Sequence, residues 1–283
     1  MNNKNIGFLH TGAMGITLAA TAQNSGYTAH WLSTDRGIAS RQRAEAYGLT
    51  EQTSLAELCA TCNIIISVCP PHAAADVADQ VMACGFTGLY ADVNAISPQQ
   101  VNQIAARMQQ AAISFVDGGI IGPPAKKPGT TMLYLSGQQA TTVADCFAAG
   151  PLGVAVIGEE IGKASALKMC YAANTKGTTA LLAAILATAE QHGVREALLE
   201  HWNHQNPEFV DNALNGISKA AIKAWRFSGE MEQIAATFES AGLPPGFHLA
   251  ARDIYQRLDR FKDYDANPDL TEILQALLGR GNC

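Results

Sequence analysis

From residue 5 to residue 157, strand-like apolar runs at 5–9, 28–32, 63–68, 88–93, 113–117, 131–136 and 153–157 alternate with alanine-rich segments of helical spacing, among them 14–24, 37–47, 70–82 and 98–111. Such alternation predicts a doubly wound parallel sheet with its crossover helices laid over both faces. Near residue 158 the pattern changes. From Gly162 to about His192 the chain reads as one nearly unbroken alanine-rich helix, apolar almost all round and roughly 45 Å long at 1.5 Å per residue. The remainder is helical too: Asn206-Pro207 reads as N-cap and first-turn proline, Ser228 as a further cap and Gly242 to Gly246 as a break. A chain of 283 residues supports about two domains, here 1–160 and 161–283. A helix as apolar as 162–192 has more surface than the residues after it can cover, which predicts a homodimer through the helical domain.

Bulk composition narrows the class. Hydrophobic residues are 48% and charged ones 16%, no apolar run is long enough to span a bilayer, and Met1-Asn2-Asn3-Lys4 is not a signal-peptide start. A cytoplasmic enzyme with no membrane partner is expected. Net charge is −6 with Lys and Arg scattered, so no basic stripe offers itself to nucleic acid. Seven cysteines lie mostly inside apolar stretches and read as reduced thiols. Cys59 and Cys62 form a C-x-x-C pair, but no second pair completes a metal site, and none is expected.

The segment from Ile6 to Gly15 carries the first candidate site. An apolar run passes through a glycine turn directly into a small-residue helix, which suits a pyrophosphate. Gly12 lets the backbone approach the phosphates and Gly15 lets the helix pack close, while Thr11, Ala13 and Met14 complete a turn whose N–H groups face the charge. His10 stands where the first glycine of the fingerprint belongs, and a plain βα corner has the same look. At the end of the second predicted strand, Ser33 takes the position where an NAD site has an acid. Ser33, Thr34 and Arg36 suit a ribose 2′-phosphate, so NADP is the expected cofactor, with NAD the alternative if Asp35 turns toward the ribose. Arg41 and Arg43 are either further cations for that phosphate or an exposed helix face. Asn94 follows Asp92 at the C-terminal end of a strand; its amide holds substrate or nicotinamide ribose, or else forms an Asx-turn before Ser97-Pro98.

Four landmarks in order resemble the β-hydroxyacid dehydrogenase superfamily, the group of 6-phosphogluconate and 3-hydroxyisobutyrate dehydrogenases, over nearly the full length. They are Gly7 to Gly15, the stretch Asp92-Val-Asn-Ala-Ile-Ser-Pro98, Phe115-Val-Asp117 with Gly122 and Gly129 behind it, and Lys168 in the first long helix. The stretch around Lys168, with Trp225-Arg-Phe-Ser-Gly-Glu-Met231, is closest to a poorly characterised subgroup. The resemblance implies a Rossmann-type NAD(P)-binding domain, an all-helical substrate and dimerisation domain, and an active site in the cleft between them. It places Val68 and Cys69 on the loop that passes the adenine-side ribose, Asn94 and Gly122 at the substrate, and Lys168 as the catalytic lysine.

Where the family binds substrate through a serine, Ile121 stands here, and the amides that follow the family's lysine are replaced by Tyr171 and Ala172. At helical spacing Thr175 returns to the face of Lys168, with Lys176 slightly round it. These two, with Arg226 or His248, are the candidate replacements for contacts to a small acidic substrate. An ordinary lysine in such a helix is a snorkelling charge. Among Ala166, Leu167, Met169, Cys170, Ala172 and Ala173 little polar face remains, and desolvation beside Lys176 favours an amine able to exchange a proton near neutral pH. The expected reaction is NADP-dependent hydride transfer to or from a β-hydroxy acid or its keto partner, with Lys168 as proton shuttle. The alternatives are an imine reductase and a non-catalytic NADP(H) sensor.

Overall fold

The structure, a computed structural model, describes residues 4–280. Eight strands form one sheet: β1 (Asn5–Phe8), β2 (Thr28–Leu32), β3 (Thr50–Gln52), β4 (Ile64–Ser67), β5 (Leu89–Asp92), β6 (Ser114–Ile121), β7 (Met132–Ser136) and β8 (Gly153–Val156). Their order is β3-β2-β1-β4-β5-β6-β7-β8. Helices α1 (Ala13–Asn24), α2 (Ile38–Ala46), α3 (Leu55–Thr61), α4 (Ala74–Ala83), α5 (Pro98–Gln110) and α6 (Ala140–Asp145) connect them. The period-two pattern sends side chains to two apolar layers. Phe8, Ile66, Ala91, Val116 and Leu135 join one, and Leu9, Ile65 and Tyr90 pack with α3, α4 and α5 in the other.

The doubly wound, parallel-dominated sheet expected from the alternation is present, with two differences. β3, Thr50-Glu51-Gln52, is a polar edge strand with no apolar run to announce it. β6 and β7 pair antiparallel, because segment 122–131 between them contains no helix and is too short for a parallel crossover. Strand order reverses between β1 and β4, and the crevice beyond the carboxyl ends of those strands is where a sheet of this kind takes its ligand.

From α7 (Lys163–Ala172) onward every assigned element is helical. The long helix expected over 162–192 is α7, a π turn at Ala173–Gly177 and α8 (Thr178–Gln191). Residues per turn rise in a π segment, so the α-helical spacing that places Thr175 on the face of Lys168 does not carry across it. The chain divides into two compact units, the first ending at Met169 and the second beginning at Cys170. The start of α7 belongs to the sheet unit, where Ala164, Ser165 and Met169 are buried. The second unit continues with α9 (Arg195–Gln205), α10 (Pro207–Ala221), α11 (Ala224–Ser240), α12 (Gly246–Gln256) and α13 (Leu270–Leu277). Asn206 caps α10 through the Phe209 N–H with Pro207 in its first turn, as expected. Ser228 is no cap: it lies inside α11, its hydroxyl donating to the Trp225 carbonyl. No helix among the described residues is long and apolar enough to cross a membrane.

Candidate active site

The glycine turn lies at the carboxyl end of β1. A Cβ on Gly15 would sit 2.1 Å from the His10 carbonyl oxygen, so only glycine lets α1 close over the turn, while a Cβ on Gly12 would meet nothing within 4 Å. Gly12 is the N-cap of α1 and offers no side-chain cap, which leaves first-turn N–H groups near Ala13 and Met14 open to an anion. Thr11 is buried, and its hydroxyl donates to the Ser40 carbonyl at 3.2 Å. Among non-glycine described residues only Asp35 and Ala112 have positive φ. His10 therefore occupies ordinary backbone, and the fingerprint's first glycine is not needed here.

Beside the turn is a cavity of about 440 Å³, lined by His10, Thr34, Asp35 and Arg36 and by Leu55, Val77 and Gln80. Arg36 Nε donates to the Leu9 carbonyl at 3.2 Å, which fixes the guanidinium in the wall. Thr34 donates to the Thr53 carbonyl. Ser33 is not in the wall; it is buried, with its hydroxyl on the Gln52 carbonyl. Arg41 and Arg43 are more than an exposed helix face. Arg43 Nε donates to the Thr11 carbonyl at 2.9 Å, and an Arg41 Nη donates to the Ser33 carbonyl at 2.8 Å. Both lock the two turns that shape the cavity.

Four buried residues form a row across β4, β5, β6 and β7, because Ser67 pairs with Asp92, Asp92 with Asp117 and Asp117 with Ser136. Asn94, expected at a ligand or in an Asx-turn, is 3% exposed. Its N–H donates to Asp92 Oδ1, its Nδ2 to Ser67 Oγ at 3.0 Å, and its Oδ1 accepts the Cys69 N–H. Its side chain thus holds the Val68–Cys69 loop in place. Burial, with the charge of Asp117 opposite, pushes the Asp92 carboxyl up to about 7 against the pull of the Asn94 N–H, and Asp92 Oδ2 has no hydrogen-bond partner among the described residues.

A folded-state value above the unfolded one of about 4 means that the folded protein binds this proton more tightly. The contribution of Asp92 to stability therefore falls as pH rises from about 4 to 7. Asp92→Asn is expected to match the wild type near pH 5 and to exceed it by about 1–3 kcal/mol at pH 8, read as urea midpoints at the two pH values. A variant less stable than wild type at pH 8 would refute this.

Asp117 is saturated with donors. Its Oδ2 accepts from Ser136 Oγ, Gly162 N and Ser165 N at 3.0, 2.9 and 3.1 Å, and its Oδ1 from Ser165 Oγ at 2.7 Å. Ser136 Oγ in turn accepts the Ala164 N–H. Together they cap α7, satisfying the N–H groups that a helix start leaves orphaned. Burial raises the Asp117 carboxyl while these bonds favour its charged form. In sequence Asp117 is only part of a landmark; the partners that define its role come from 136 and from 162–165.

Two strand residues beyond Asp117, a Cβ on Gly119 would meet the Ala164 carbonyl oxygen at 2.7 Å and Lys168 Cβ at 3.0 Å, and one on the intervening Gly118 would meet Val93 Cγ1 at 2.4 Å. The bare Gly119 position therefore lets α7 lie close and brings Lys168 against β6, while the bare Gly118 position makes room for Val93. Lys168 is half-buried, with exposed Leu167 and Cys170 as neighbours, so α7 is less enclosed than its composition suggests. Gly122 is exposed, with φ of 124° and the Thr130 carbonyl oxygen 2.3 Å from where its Cβ would be; it turns the chain toward β7.

In the second unit Thr175 is exposed and its hydroxyl donates to the Tyr171 carbonyl. Lys176 pairs with Glu230 and lies over the Phe227 ring at 4.8 Å, so its charge is already answered. Tyr255 Oη donates to the Lys176 carbonyl at 2.7 Å. His248 is buried against Phe238, whereas Arg226 is exposed. Cys59 and Cys62 are buried, their thiols pushed up to about 12 by burial.

A family model described as the NAD binding domain of 6-phosphogluconate dehydrogenase matches residues 5–149, and one described as a domain of unknown function (DUF1932) matches 189–258. An uncharacterized 28.5 kDa protein in the 7S RNA 5′ region of Methanothermus fervidus is 26% identical over 225 residues, 79% of this chain and 87% of that protein. Among solved structures, the conserved protein MTH1747 of unknown function, described as structurally similar to 3-hydroxyacid dehydrogenases, is 26% identical with a TM-score of 0.67 and covers 91% of this chain and 99% of its own. The 3-hydroxyisobutyrate dehydrogenase of Mycobacterium tuberculosis, solved with L-serine, is 16% identical with a TM-score of 0.70 over 96% of this chain and 98% of its own.

Proposed function

Because the chain belongs to the family of the 6-phosphogluconate dehydrogenase NAD binding domain, and so is an NAD(P)-dependent dehydrogenase or reductase, we propose that it moves hydride between NADP and a small β-hydroxy acid or its keto partner, with Lys168 as proton shuttle. The seat of Lys168 carries this reading: α7, capped by Asp117, holds it over Gly119 in the last half of β6. A nicotinamide dinucleotide fits the residues present. The uncapped start of α1 at Gly12, Ala13, Met14 and Gly15 would hold its pyrophosphate, and the adjacent cavity its adenosine end. When bound, it supplies the hydride acceptor or donor. In oxidation the Lys168 amine accepts the substrate hydroxyl proton; in reduction its ammonium returns that proton to the carbonyl oxygen.

Thr34 and Arg36 in the cavity wall support NADP over NAD, since an arginine makes charge-assisted bonds to a 2′-phosphate that a bare ribose cannot receive. NADP(H) is expected to bind at least about tenfold tighter than NAD(H). Arg36→Ala should weaken NADP(H) and leave NAD(H) nearly unchanged in titrations; equal losses would remove this preference. Of the cations in the second unit, Lys176 is paired with Glu230, which makes Arg226 the better partner for a substrate carboxylate. Exposed Leu181 and Val194, at 59% and 51%, support a homodimer through the helical unit, read by sedimentation.

The deciding experiment offers hydroxy acids, phosphorylated and not, keto acids and imines to the purified chain with either cofactor, and follows nicotinamide absorbance. Turnover of a hydroxy or keto acid supports the proposal. Turnover of imines alone would move the chain to the imine reductases, and stoichiometric binding without turnover would make it a sensor.

A further inference from the structure

Among the groups of the cofactor cavity that the dehydrogenase chemistry leaves unused is the imidazole of His10. Its backbone is ordinary there, so what distinguishes this position from glycine is the side chain alone. The ring shares the cavity wall with Thr34, Asp35 and Arg36, and its Nδ1 is buried with no hydrogen-bond partner among the described residues.

We propose that His10 senses the phosphate of the cofactor: its imidazole takes up a proton as the 2′-phosphate of NADP(H) enters beside it and Arg36, so that binding of NADP(H), and not of NAD(H), is coupled to proton uptake. This rests on the NADP reading above and goes beyond it by adding a second contact and a linked proton.

Alone, the ring is held neutral, because burial and then the Arg36 charge bring it down to about 4. The charged groups facing it are those of the β2–α2 turn, Asp35 and Arg36, while α3 and α4 bring uncharged Leu55, Val77 and Gln80. A phosphomonoester dianion reverses this balance. It answers the guanidinium charge that opposes protonation, and it offers oxygens that accept a charge-assisted bond from an imidazolium N–H. A ribose hydroxyl does neither, so with NAD(H) the Arg36 repulsion persists and the ring stays neutral.

Calorimetric titration of the full chain at pH 7, in buffers of different ionisation enthalpy, counts the protons exchanged. Wild type should take up about half a proton or more per NADPH and close to none per NADH. His10→Gln should bind NADPH with that uptake removed, and its NADPH affinity should lose the weakening that wild type shows as pH rises from 7 to 9. His10→Gly serves as a second variant if the glutamine disturbs the turn. Equal uptake in wild type and variants, or tight NADPH binding by wild type without uptake, would overturn the coupling while leaving the NADP reading intact. NADPH binding no tighter than NADH would overturn the cofactor reading, and the coupling with it.

Discussion

Lys168→Met is expected to lower kcat by about 10²–10⁴-fold, the usual contribution of a positioned acid or base, while fold and NADPH affinity survive. Methionine keeps the length and apolar stem of lysine, and the site is half-buried, so the substitution removes the exchangeable proton with little change in packing. Thermal midpoint, NADPH titration and kcat measured on the same variant separate the possible roles. A snorkelling lysine would leave kcat untouched and lower the midpoint. A stable, cofactor-binding variant with near wild-type turnover would remove Lys168 from the mechanism.

Asp117→Ala is expected to cost about 3–5 kcal/mol of stability, because several buried donors lose their shared acceptor at about 1–3 kcal/mol for each group left unsatisfied. The alanine would orphan the Gly162 and Ser165 N–H groups and take an acceptor from both serine hydroxyls, all in a buried setting. Asp117→Asn keeps one acceptor oxygen for those amides and should lose only about 1–2 kcal/mol. Urea unfolding at pH 7 reads both. The helix start that carries Lys168 should loosen in the alanine variant, so its kcat should fall as well. An alanine variant within about 1 kcal/mol of wild type would show that the cap does not hold α7.

The functional map was only partly legible in residue order. Gly15 was, because a glycine between a strand and a small-residue helix has one common physical cause, and a Cβ there would meet the His10 carbonyl oxygen. Asn206-Pro207 was, because capping involves neighbours in sequence. Ser33 looked like a phosphate ligand, but it spends its hydroxyl on Gln52, whose short strand no apolar pattern announces. Asn94 fared similarly, its amide being taken up by Ser67 and Cys69 on the neighbouring strand and loop. Lys176 meets Glu230, fifty-four residues on, and Arg43 meets Thr11 across thirty-two.

By itself, then, the sequence determined the doubly wound sheet, the glycine turn, the helical second half and the family, because strand and helix periods and glycine's missing side chain act over a few residues. Tertiary structure decided which candidate side chains remain available to a ligand. A hydrogen bond or ion pair cancels a polar group wherever the fold delivers a partner, and for Ser33, Asn94, Lys176 and Asp117 that partner comes from a distant strand or helix.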